Sequence, residues 1–182
     1  MDAFPHIVEF LTARGYLIEP PRPGAQLLAT RRGHSLGIFL PYVDFICVHD
    51  LQLEGAGDFA AFSRLHEADR AAAGSRFRLP RILRYKIPNV VSIGVSGEAC
   101  PQGLIDEVEK PAPRRSAIGG ETHSMYVLDL ERLLLHSQGP EATSTRYGGS
   151  TTTAVNPTNR ALRLVIELAE TLFAAEQGAA RA

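Results

Sequence analysis

The chain reads as one mixed α/β domain: a central mixed sheet that opens with a three-strand meander and is covered by helices. Three features point there. Short apolar runs bounded by Gly and Pro alternate with stretches of helical period. The run Tyr42–His49 is apolar on both faces, as in a strand covered from both sides. With 182 residues, 45% of them hydrophobic and 21% charged, the chain can bury a core of its own.

The elements follow in order. Phe4, Ile7, Val8 and Leu11 recur at helical spacing over residues 3–14, with Asp2 to cap the start and Gly15 to end it. A strand begins at Tyr16-Leu17-Ile18, and Pro20, Pro21, Pro23 and Gly24 turn the chain. Gln26–Arg31 and Ser35–Leu40 flank Arg32-Gly33-His34, the pattern of a hairpin. Tyr42–His49 completes a meander over residues 25–49, with Tyr42, Ile46 and Val48 on one face and Val43, Phe45 and Cys47 on the other.

Asp58 caps a helix over 59–73 that Gly74 ends. Val90–Ser96 is an apolar strand and Pro101–Glu109 a short helix. Lys110–Arg115, with two prolines, is a loop. Thr122–Leu128 is a strand that Leu133–Ser137 can pair with, and residues 139–153, rich in Gly, Ser and Thr, form a loop. Asn156 and Pro157 open a last helix, with an apolar stripe through Leu162, Val165, Ile166, Ala169, Leu172 and Phe173. One domain over 1–177 and a frayed tail over 178–182 are expected.

The order of the first six elements resembles that of restriction-endonuclease-like folds. Their catalytic motif needs an acid opening one strand and acid-x-Lys on the next. Gly24-Ala25-Gln26-Leu27 and Leu36-Gly37-Ile38-Phe39-Leu40, the corresponding segments, carry neither acid nor Lys. The resemblance is one of topology without the motif.

Composition narrows the function. Nineteen Lys and Arg against 20 Asp and Glu give a net charge of -1, so a global footprint for nucleic acid is missing. Cys47 and Cys100 lack the spacing of a zinc site or a disulfide framework and are expected as free thiols. The start Met1-Asp2-Ala3-Phe4-Pro5-His6 is unlike a secretory signal, and no window has the length of a membrane span, so a cytoplasmic location without membrane contact is expected. No cofactor fingerprint, P-loop or nucleophile elbow is present, and no metal site is expected.

Three groups of residues carry candidate chemistry. Asp44, His49, Glu121 and His123 stand on or at the ends of strands, where carboxylates and imidazoles can share acid–base work. Asp44, midway along a covered strand, costs several kcal/mol unless paired, and an Arg from 76–84 is the expected partner. The run 76–86 holds Arg76, Arg78, Arg81 and Arg84 with Lys86 and no acid, which suits phosphates; its plain reading is a connector with solvated arginines. Gly148, Gly149 and Ser150 precede the last helix, where backbone N–H groups can cradle an anion. Leu65-His66-Glu67-Ala68-Asp69-Arg70 lacks the second His of a zinc-protease helix, so His66 reads as a packing residue.

The expectation is a non-catalytic binding or regulatory protein that works through contacts with a protein partner or a second copy of itself. The alternatives are a polyanion-binding or degenerate nuclease-like domain using 76–86, and an enzyme with an acid and histidine site at strand ends.

Overall fold

The structure, a computed structural model, describes residues 2–20, 25–34, 41–76, 87–110, 122–137, 143–146 and 160–179. It has three layers. A seven-stranded sheet is packed between helices α1 (Ala3–Ala13) and α4 (Arg160–Ala179) on one face and α2 (Phe59–Ser75) and α3 (Gln102–Val108) on the other. The strands β1 (Leu17–Glu19), β2 (Leu27–His34), β3 (Pro41–Asp50), β4 (Ile87–Ser96), β5 (Thr122–Asp129), β6 (Leu134–Ser137) and β7 (Thr143–Arg146) lie in the sheet in chain order. β1, β2 and β3 are mutually antiparallel, β3, β4 and β5 are parallel, and β6 and β7 return antiparallel.

Local chemistry sets the starts of α1 and α2 and the end of α1 as expected. Asp2 Oδ1 accepts from Phe4 N at 3.1 Å, and Asp58 Oδ1 from Ala61 N at 2.7 Å. Gly15, at φ 76°, turns the chain out of α1 while its N–H bonds Thr12 O and that of Tyr16 bonds Leu11 O. α2 runs through Gly74 to Ser75, and α4 continues to Ala179.

The meander is present, but its strands are not where the Gly33 signal put them. Arg32-Gly33-His34 lies inside β2, paired with Pro41–Val43. Gly33 keeps ordinary extended backbone, since among the described glycines only Gly15 and Gly55 have positive φ. An eight-residue ladder with β3 outweighs a local turn preference. Residues 35–40 lie outside the described ones, and β1 is the third strand of the meander. The stretch 139–153 likewise contains β7, which adds to the edge of β6.

β3 is central. Phe45 and Ile46 are 3% and 1% exposed, on opposite faces. Ile46 and Val48 join Leu27, Val91, Ile93, Tyr126 and Leu128 under α1 and α4. The other face carries two separate apolar clusters. One gathers Leu51, Phe62, Leu104 and Val127, and the other Leu28, Phe45, Cys47 and Val90. Polar side chains lie between them. Cys47 and Cys100 are free and buried.

Asp129 locks the far end. Fully buried, it accepts from Cys100 N at 2.9 Å and Arg132 N at 2.8 Å, and so joins the start of α3 to the β5–β6 turn. Asp129→Ala leaves two amide donors unpaired. Urea denaturation should show a loss of about 1–3 kcal/mol per donor left without a partner, with an unchanged slope.

Candidate functional site

The site begins with a pattern on α2. Its buried residues Phe62, His66, Asp69 and Ala73 form one helical stripe. Two of the four are polar, and they sit against strands that also present polar groups. His49 projects from β3 on the face of Phe45 and Cys47. Ser92 projects from β4, beside Cys47 in the register.

Hydrogen bonds join these residues into a chain. His49 Nδ1 is 3.0 Å from Glu54 Oε2, and its Nε2 is 2.8 Å from Asp69 Oδ2. Ser92 Oγ donates to the same Asp69 Oδ2 at 2.5 Å and lies 2.8 Å from His66 Nδ1. His66 Nε2 is 3.1 Å from Nδ1 of His123 on β5. His49, Asp69, Ser92 and His66 are 0%, 6%, 0% and 3% exposed, while His123 at one end is half-buried.

The proton positions follow from the chemistry of each group. An ionised carboxylate only accepts, so the Ser92 hydroxyl gives its one proton to Asp69 and accepts from His66 Nδ1–H. His49 faces a carboxylate with each nitrogen, so it bonds fully as an imidazolium. Burial opposes that charge, but the hydrogen bond and charge of Asp69, with Glu54 behind, outweigh it and raise the pKa. His66 is the reverse: burial, then the neighbouring His123, push it down to about 4. Neutral and protonated on Nδ1, His66 accepts from His123 at Nε2. The chain is therefore polarised toward Asp69 from both sides.

Asp69 ends with an asymmetry. Both its side-chain hydrogen bonds to described residues fall on Oδ2. The residue also lines a cavity of about 230 Å3 between α2 and β2–β3, whose walls include Ala25, Leu28, Phe45, Cys47 and Ala72.

The expected site residues separate. His49 and His123 belong to one network, at opposite sides of Asp69. Asp44 lies on the other face of the sheet, where it accepts from Tyr16 Oη at 3.0 Å and Asn89 Nδ2 at 2.9 Å, with Arg31 at 4.0 Å. Burial outweighs these partners and raises its pKa. Among the described residues the guanidinium near it is that of Arg31 on β2, and residues 77–84, where the expected partner was placed, lie outside them. Arg76 is committed to Glu19 through two bonds, Nη1 to Oε1 at 2.7 Å and Nη2 to Oε2 at 2.5 Å. Glu121, Arg78, Arg81, Arg84, Gly148, Gly149 and Ser150 lie outside the described residues. Among the described residues no His, Cys, Asp and Glu group has the arrangement of a metal site, and no helix is long and apolar enough to cross a membrane.

Three members of the network escaped the sequence reading: Glu54, Asp69 and Ser92. Asp69 had a signal, since it stands three residues after His66 and seven after Phe62 on one face. Ser92 interrupts the apolar run Val90–Val95. Glu54 lies in a turn and gives no such signal.

Fold and site define a three-layer α/β domain with a buried His–carboxylate–Ser chain beside an apolar cavity. Compared with family models, curated proteins and solved structures, the chain matches none.

The two histidines give opposite pH signatures. His66 is harder to protonate folded than unfolded, so stability falls as pH drops from 6.5 toward about 4. His49 is easier to protonate folded, so its contribution is complete below 6.5 and is lost as pH rises through its raised value. Residue-resolved histidine NMR should find His66 neutral at pH 5 and His49 still charged above 6.5. A His66 that titrates near its ordinary value would break the assigned polarity.

Proposed function

We propose that the chain is a binding domain for a small molecule, which it holds in the cavity between α2 and β2–β3. The observation that carries this reading is the cavity itself. Protein interiors close up to crystal-like density, and voids larger than a water are few. Here a recess of about 230 Å3, partly open to solvent, is left between α2 and the sheet. For comparison, an engineered apolar cavity of about 150 Å3 accepts benzene. Ala68 and Ala72 of α2 are among its walls, and their small side chains leave room that larger apolar residues would take.

The reading keeps the expected class, a binding protein, and moves the ligand from a protein surface to a pocket. Addition of toluene should shift the NMR signals of Phe45, Leu28 and Ala72 and raise the melting temperature. Ala72→Leu should abolish both effects and stabilise the free protein by about 2 kcal/mol, the worth of two or three buried methylenes. Unchanged spectra at millimolar toluene would sink the proposal.

A second reading, association with another copy of the chain, is supported by β1. It is an edge strand, and its Leu17 and Ile18 are 72% and 36% exposed. Exposed apolar edges invite strand addition. Sedimentation equilibrium should then give a dimer that Leu17→Lys converts to monomer. A monomer at all concentrations would remove this reading and leave the first untouched.

A further inference from the structure

The hydrogen-bond chain runs from the buried Asp69 to the half-buried His123, and the carboxylate end dictates how the protons along it lie. Asp69 Oδ2 and Ser92 Oγ stand 2.5 Å apart, where the hydroxyl gives its one proton to the carboxylate. Ser92 Oγ then accepts from His66 Nδ1 at 2.8 Å, so that nitrogen carries the ring proton. Neutral His66 has its lone pair on Nε2, and His123 Nδ1, 3.1 Å away, is the donor to it. Neutral His123 is thereby left with Nε2 as its basic nitrogen.

We propose that His123 is an acid–base site of this protein: its Nε2 accepts a proton from a ligand bearing an O–H or N–H group, and Asp69, acting through Ser92 and His66, sets its tautomer and stabilises the imidazolium that forms. Asp69, Ser92 and His66 are positioning residues. The logic is that of a catalytic triad, in which a buried carboxylate fixes the tautomer of a base and supports its charged form. Here a hydroxyl and a second imidazole stand between the carboxylate and the base.

One bond breaks and one forms. The O–H or N–H bond of the ligand breaks and leaves its electron pair on the ligand. The proton forms the Nε2–H bond of His123. The bond from His123 Nδ1–H to His66 Nε2 then changes from neutral to charge-assisted, which makes it roughly twice as strong. His66 can accept it more firmly because its own Nδ1–H leans on Ser92 and, behind that, on the negative charge of Asp69.

The surroundings keep the charge on His123. Among the described residues, the charged and titratable groups acting on His66 are Asp69 and Arg70 from its own helix, His49 from β3 and His123 from β5. From β4 comes Ser92, which carries no charge. Burial, then the neighbouring His123, push His66 down to about 4, so near neutral pH it serves as an acceptor and does not take the proton itself. Ser92 and His66 are buried and His123 is half-buried, so water is kept from the middle of the chain more than from its receiving end. Tying α2 to the sheet needs no more than His49, Asp69 and Ser92. The further step through His66 carries the influence of the carboxylate to β5.

The test uses the full chain with isotope-labelled histidines, whose ring tautomers and titrations are read by nitrogen–proton NMR. Above its titration, wild-type His123 is expected to carry its proton on Nδ1, as is His66. In Ser92→Ala, His66 loses the acceptor for its Nδ1–H. Both rings should then move their proton to Nε2, and the proton affinity of His123 should fall about fivefold, the difference between a charge-assisted and a neutral hydrogen bond. Asp69 keeps its charge in this variant, so the fall measures the chain and not the field of the carboxylate. Should Ser92→Ala fail to fold, Ser92→Cys, a weaker donor and acceptor of similar size, is expected to lower the affinity in the same direction. Phenol, an O–H donor, should move the wild-type His123 Nε2 signal at millimolar concentration, and anisole, which has no donor, should not. A wild-type His123 with its proton on Nε2 overturns the proposal, and that measurement needs no variant. A His123 with the same tautomer and proton affinity in the Ser92 variant overturns the role of the chain. Equal effects of phenol and anisole, or none from either, overturn the ligand class.

Discussion

Asp69 Oδ2 receives hydrogen bonds from His49 on β3 and Ser92 on β4 at once. The three residues come from a helix and two parallel strands, so one carboxylate ties α2 to the middle of the sheet. A buried charge cannot be left without partners, and this sets strict demands on its neighbours. His49 has to carry a proton, which calls for Glu54 on its other side. Ser92 has to give its proton to Asp69, which calls for a donor behind it, and His66 supplies one. The polarity of the network follows from this one buried group.

Such an arrangement is costly compared with apolar packing. Replacing a buried polar group by a hydrophobic one of like shape is often neutral or favourable, whereas removing one partner is severe. The apolar residues on this face are split into two clusters by the polar band, so the site interrupts the core on that face. The opposite face has one continuous core under α1 and α4. There the buried Asp44 accepts from Tyr16 and Asn89. The continuous apolar core lies on one face of the sheet and the hydrogen-bonded chain through Asp69 on the other.

Much of this was legible. Capping at Asp2 and Asp58, the end of α1 at Gly15 and the two-faced burial of β3 are decided within a few residues of sequence, and the structure agrees. Gly33 misled, because a glycine between apolar runs signals a turn only when no partner strand continues past it. β2 has such a partner in β3. The Asp44 and His49 grouping failed for a simpler reason. Their sequence separation is odd, and residues five apart on a strand point to opposite faces.

The sequence by itself determined which residues form strands and helices at the centre of the domain, since hydrophobic period and capping act over short range. It also made His49 and His123 candidates, because imidazoles at the ends of apolar strands are visible in one dimension. Only the tertiary structure decided that Asp69, Ser92 and His66 stand between them. Hydrogen bonds across 23, 26 and 57 residues depend on strand order and helix placement, which burial of the whole chain selects together. The same is true of the cavity: its volume is a difference between packed surfaces, and no single residue encodes it.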